Sequence, residues 1–180
     1  LAEAYLSAAE SARQPNLETK DAGYMNQATE LLQLMVSRYR GQKAHEFLVT
    51  KARLQLGELL FDQKAYAQAK ELFLGYGKKH GDKIADLLKF RLAECNNFLA
   101  VEARREGRNQ VANVHLDNAR LRYLDLKLAV ERNDRDPLIE EDIYRRAMFR
   151  LGQVAFARPQ PDYVKALFAF LRASQRFNGT

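Results

Sequence analysis

The chain has 180 residues, of which 47% are apolar and 29% charged, with only 4 Pro and 9 Gly. That balance is too apolar for disorder and leaves room for long helices, and no run of about eighteen apolar residues is present to span a membrane. The net charge of +6 favours acidic partners or anionic surfaces, but the basic residues are spread along the whole chain and mark no single site.

Hydrophobic periodicity predicts helices over 1–13, 22–40, 44–63, 66–80, 83–106, 110–132, 137–157 and 162–177, so the expected fold class is all-α. Every second helix carries the same pattern. The copies are Met25-Ala28-Leu32-Met35, Tyr66-Ala69-Phe73-Tyr76, Leu116-Ala119-Tyr123-Leu126 and Tyr163-Ala166-Phe170-Ala173. Offsets of 3, 4 and 3 follow one face of a helix, and the small central residue lets a partner helix approach. The alternate helices share a second pattern, an apolar residue, then Leu beside Gly or Ala, then Glu or Gln. It is seen at Leu54–Glu58, Phe90–Glu94 and Phe149–Gln153, and more faintly at Ala4–Glu10. A helical glycine costs about 1 kcal/mol relative to alanine, so Gly57 and Gly152 are read as points of close helix crossing. The chain therefore reads as one repeat array in four helix pairs, approximately 1–40, 44–80, 83–132 and 137–177.

The punctuation agrees. Gly41 follows the basic turn Arg38-Tyr39-Arg40, and Arg104-Arg105-Glu106-Gly107-Arg108 ends a helix with cations at its negative end. Asp82 and Asp136-Pro137 are helix starts, and Glu141–Arg145 and Asp142–Arg146 are i,i+4 pairs in the favourable order. Pro159 and Pro161 precede the last helix, and Asn178-Gly179 terminates it. Gly75 and Gly77 are expected to loosen the end of the helix that starts at Tyr66.

The chemistry-bearing residue types form no catalytic pattern. His45, His80 and His115 have no His or Cys one helical turn away, which excludes the usual metal-ligand spacing, and His80 is placed in a surface loop. Cys95 lies among Phe90, Leu92, Ala93, Phe98 and Leu99 and reads as a small buried hydrophobe. The acidic groups at 134–136 and 140–142 suit helix capping better than acid–base work. No phosphate loop, nucleophile elbow or zinc-protease motif is present. No enzyme, cofactor or metal is expected. Most aromatic residues fall at packing positions, which argues against nucleic-acid stacking.

These patterns resemble the tetratricopeptide repeat. The best copy, residues 50–83, has Leu56-Gly57, Tyr66, Ala69 and Phe73 where that family has them. It departs at Arg53, Leu60, Tyr76 and Gly81, where the family has Trp, Tyr, Ala and Pro. The last pair matches through Leu151-Gly152, Tyr163, Ala166, Phe170 and Ala173, with an insertion around Pro159–Pro161. The third keeps Leu92-Ala93 and Leu116-Ala119-Tyr123 on longer helices, and the first keeps only its second helix. The central alanines are 41, 50 and 47 residues apart, against about 34 in the regular family. The segment Arg38–Gly57 is similar to repeats of bacterial cell-envelope proteins, including outer-membrane assembly lipoproteins and periplasmic partners of the Tol system. That likeness implies a periplasmic or cell-envelope location, while the single cysteine does not choose between periplasm and cytoplasm, and a cytoplasmic location stays open.

The resemblance implies a right-handed α-α superhelix of about eight helices in four antiparallel pairs. The first helix of each pair lines a concave groove for a peptide or protein partner. The implied groove residues are Lys51, Leu54, Glu58 and Phe61, then Leu87, Phe90, Arg91, Glu94 and Asn97, then Arg146, Phe149, Arg150, Gln153 and Phe156. The family's clamp for a C-terminal carboxylate needs Lys, Asn and Arg at set places and is not found. Affinity is assigned to Leu54, Phe90 and Phe149, and charge reversal at Glu58 and Glu94 is expected to weaken binding at unchanged stability. Two alternatives stand beside this scaffold reading. One is a structural subunit of a larger assembly held by its end faces, with Phe168 and Phe177 in the contact and self-association open to it. The other is a nucleic-acid-binding helical repeat. The start at Leu1 and the apolar last helix lead to the expectation of an excised piece of a longer repeat array.

Overall fold

The computed structural model describes residues 22–80, 86–131 and 141–175. All its elements are helices, so the fold is all-α as the periodicity predicts. The chain divides into two compact units, one up to His80 and one from Gly81. Unit 1 contains α1 (Ala22–Arg38), a short 3-10 turn (Lys43–His45), α2 (Glu46–Asp62) and α3 (Tyr66–His80). Unit 2 contains α4 (Asp86–Arg105), α5 (Asn109–Glu131), α6 (Glu141–Phe156) and α7 (Tyr163–Gln175). The ends that lie inside the described residues, from Arg38 to Tyr66, at Arg105 and Asn109, and at Phe156 and Tyr163, fall within a few residues of those expected, as usual for helix ends. The helix expected at 1–13 lies outside the described residues. So do the starts at Asp82 and Asp136-Pro137, the end at Asn178-Gly179, and the side chains of Glu141 and Asp142.

Within each unit, helices that follow one another in sequence pack together: α1 on α2, α2 on α3, α4 on α5, α5 on α6 and α6 on α7. The central alanines Ala28, Ala69, Ala119 and Ala166 are all buried, at 2%, 0%, 0% and 3% exposure. That is the close approach their spacing implies. The reason shows most clearly at the two Leu-Gly positions. A methyl group at Gly57 would come within 2.5 Å of the Phe73 ring, and one at Gly152 within 2.5 Å of the Phe170 ring. Glycine is thus the residue that leaves room for each aromatic ring against the opposing backbone.

The two pairs match again at their turns. Phe61 meets Tyr66 edge-on with ring centroids 5.3 Å apart, and Phe156 meets Tyr163 edge-on at 5.7 Å. The matched contacts arise because the same residue types recur at the same helical offsets.

Turn chemistry is shared between α2–α3 and α4–α5. The Ala65 N–H donates to the Leu60 carbonyl at 2.8 Å and the Lys64 N–H to Phe61 at 3.0 Å. At the other turn the Arg108 N–H donates to Ala103 at 2.8 Å and the Gly107 N–H to Arg104 at 3.0 Å. Both are Schellman motifs, which need a left-handed residue after the helix. Gly107 supplies it at φ 75°, and Lys64 supplies it at φ 65°. The lysine hides that turn from a reader scanning for glycine. Gly41 also takes a left-handed conformation, at φ 80°, past the end of α1.

Two local expectations change. Helix α3 continues through Gly75 and Gly77, and His80 is its last residue instead of part of a loop. Glycine lowers helix stability by about 1 kcal/mol per position but does not stop a helix. Cys95 is buried, as its apolar neighbours imply. His45 packs edge-on against Tyr39 at 4.7 Å, and His115 Nδ1 lies 3.2 Å from Asn96 Oδ1. Among the described residues no helix is long and apolar enough to cross a membrane.

A candidate partner-binding cleft in unit 2

Two helices of unit 2 that are not adjacent in sequence are tied by an ion pair. Glu94 on α4 is buried, and its Oε1 accepts a hydrogen bond from Arg150 Nε on α6 at 2.8 Å. Its Oε2 accepts a second from Arg150 Nη2 at 3.1 Å. The same Oε1 also accepts from the Tyr123 hydroxyl on α5 at 2.5 Å. One carboxylate therefore joins three helices, with the bidentate geometry that favours arginine over lysine. Arg150 further donates Nη1 to Gln153 Oε1 at 2.8 Å and lies 5.5 Å from the Phe98 ring centroid. Burial disfavours charge on Arg150, but its hydrogen bonds to Glu94 and that carboxylate's field outweigh it, and the guanidinium is held above its ordinary value.

Burial first, and then Glu94, push the Tyr123 phenol well above the ordinary tyrosine value of 10.0. The folded group keeps its proton where the unfolded group has lost it. Its contribution to stability is therefore complete below the unfolded value and is lost as pH rises through the folded one. We expect the melting temperature to fall above about pH 10, and Tyr123→Phe to flatten that fall. Equal slopes in calorimetric scans of the two proteins would exclude Tyr123 as the cause.

This network forms one wall of a cleft of about 850 Å³. Arg145, Arg146, Phe149 and Arg150 of α6 line it with Glu94 of α4, and Phe170, Ala173 and Ser174 of α7 close it. The α6 residues fall at i, i+1, i+4 and i+5, on one side of the helix. Phe149 is 47% exposed and stands 5.3 Å from Phe170, ring centroid to ring centroid. Arg145 and Arg146 are exposed. The cleft thus offers an aromatic shelf beside cationic groups, with the lining carboxylate of Glu94 already engaged by arginine. It can take an apolar side chain and an anionic group side by side.

The cleft brings together Glu94, Arg146, Phe149 and Arg150 from the groove inferred from sequence, and Gln153 bonds to its wall. Arg145, Phe170, Ala173 and Ser174 were not among the groove residues. Helical spacing places Arg145 beside Phe149, but only the pairing of α6 with α7 brings in the other three. Phe90 faces the core at 3% exposure, 6.1 Å from Tyr123, and Asn97 is also buried. Arg91 is partly buried and Leu87 and Phe156 are exposed. In unit 1, Lys51 is exposed and Leu54, Glu58 and Phe61 are partly buried on α2. Because Glu94 is buried with two partners, charge reversal there would strand Arg150 and Tyr123, so unchanged stability is no longer expected of that substitution. Among the described residues no group of three His, Cys, Asp or Glu is placed to hold a metal ion.

The sequence matches no protein-family model, and a search of curated proteins also finds no match.

Proposed function

We propose that this chain is a non-catalytic interaction scaffold of the tetratricopeptide kind, whose helix pairs stack in a right-handed superhelix. In this reading the first helices of the pairs present a groove to a peptide or protein segment. The supporting observation is the cleft of unit 2, where residues spaced for a groove converge with an exposed aromatic ring and arginines. The matched Gly57–Phe73 and Gly152–Phe170 contacts support the repeat reading. Binding energy comes from an apolar anchor on Phe149, and orientation from Arg145 and Arg146.

Selection of a displayed random-peptide library on the full chain tests this. We expect enriched peptides that lose binding to Arg146→Glu/Phe149→Ala while that variant melts close to wild type, since both sites are exposed. No enrichment, or binding unaffected by the substitutions, would remove the cleft as the site. A second reading is a structural subunit that docks through its last helix, because Val164 and Leu167 of α7 are 64% and 58% exposed. Phe177 lies outside the described residues. Charged substitutions at Val164 and Leu167 would then abolish assembly and leave peptide selection intact.

A further inference from the structure

We infer that unit 2 carries a second docking groove on the side of α6 opposite the cleft, and that it takes an acidic amphipathic helix of a partner protein. At about 100° per residue, Arg145, Arg146, Phe149 and Arg150 cluster on one side of α6 and Met148, Leu151 and Ala155 on the other. The second set is the floor of a groove of about 390 Å³. Helices α5 and α7 form its two walls, with Leu124 on one and Phe168 and Ala169 on the other. Met148 is buried, whereas Phe168 is 63% exposed at the groove edge.

The rim is cationic on both walls. Arg120 and Lys127 stand on α5, and Lys165 and Arg172 on α7, each pair seven residues apart and so on one helical face. Among the described residues no carboxylate lines the groove itself, and Asp162, just before α7, interacts with Lys165 and Arg120 of the rim. Lys165 also bonds Asp162 at 2.7 Å, and Asp162 accepts the Lys165 backbone N–H at 3.0 Å, which holds the start of α7.

An apolar floor between two rows of cations is complementary to a helix with one apolar stripe and acidic flanks. The occupant is argued from charge and shape together. A second copy of a chain with net charge +6 would bring like charge to this rim. A nucleic-acid backbone would match the positive charge of the rim but would leave the exposed Phe168 and the apolar floor uncovered. The wall on α7 runs from Lys165 to Arg172, about two helical turns, so a helix of about three or four turns spans it.

The test uses the full chain and fluorescence anisotropy. The probes are a labelled synthetic peptide of about fourteen residues with a Leu stripe at i, i+3, i+4, i+7 and Glu flanks, the same peptide with Lys flanks, and a Glu peptide with its stripe scrambled. A short DNA duplex is the fourth probe. We expect binding of the acidic striped peptide alone. Lys127→Glu/Arg172→Glu should weaken it by about tenfold or more, and added salt should weaken it too. Thermal melts establish that this variant is folded. Arg146→Glu/Phe149→Ala should leave this binding unchanged, so failure of the cleft and failure of this groove are read separately. Equal binding of the scrambled peptide, stronger binding of DNA, no binding of the striped peptide, or indifference to the Lys127/Arg172 substitutions would each overturn the inference.

Discussion

Glu94→Ala should destabilise unit 2 by about 3–5 kcal/mol, the usual cost of removing one partner from a buried ion pair. The carboxylate is buried and accepts bonds from both Arg150 and Tyr123. Its loss leaves a guanidinium whose side chain is only 25% exposed and a phenol that is fully buried. Glu94→Gln retains an acceptor and should cost less. Replacing the whole network, with Glu94→Leu, Arg150→Met and Tyr123→Phe, should recover most of the loss, because apolar groups of similar volume need no partners. Chemical denaturation of the four proteins checks this series. If Glu94→Ala unfolds within about 1 kcal/mol of wild type, the carboxylate does not carry the load that its three bonds imply.

Phe73→Ala should cost unit 1 about 3–5 kcal/mol. The ring is 1% exposed and lies against the bare backbone of Gly57, so alanine leaves a cavity that no neighbouring side chain from that position can fill. Phe170 holds the same place against Gly152, but it also lines the cleft and is only partly buried. Phe170→Ala should therefore destabilise less than Phe73→Ala, although the chemical change is identical. Denaturant unfolding of both variants gives the comparison, and a larger loss from Phe170→Ala would contradict the burial order.

Particular residues explain how much of this was legible beforehand. The alanine-centred pattern marked four of the seven described helices, and the pattern of Leu beside Gly or Ala the other three, because a 3.6-residue period is a local property of the chain. Gly57 and Gly152 marked helix crossings for the same reason. The Lys64 turn was hidden, since a lysine in a left-handed conformation carries no sequence signal. Phe90 was read as a groove residue from its spacing, yet α5 covers it with Tyr123. Helical phase says which residues share a face, not what lies over that face.

The sequence by itself determined the all-α class, the helix bounds and the pairing of small residues with large ones. Those follow from periodicity, propensity and turn chemistry, each of which acts over a few residues. Only the tertiary structure decided that Glu94 bonds Arg150, fifty-six residues away, and that Arg146 and Phe149 share a cleft with Phe170. It also decided that four cations from two helices ring one apolar floor. Such meetings depend on how helices cross, and crossing is set by the summed packing of many side chains instead of by any short stretch of chain.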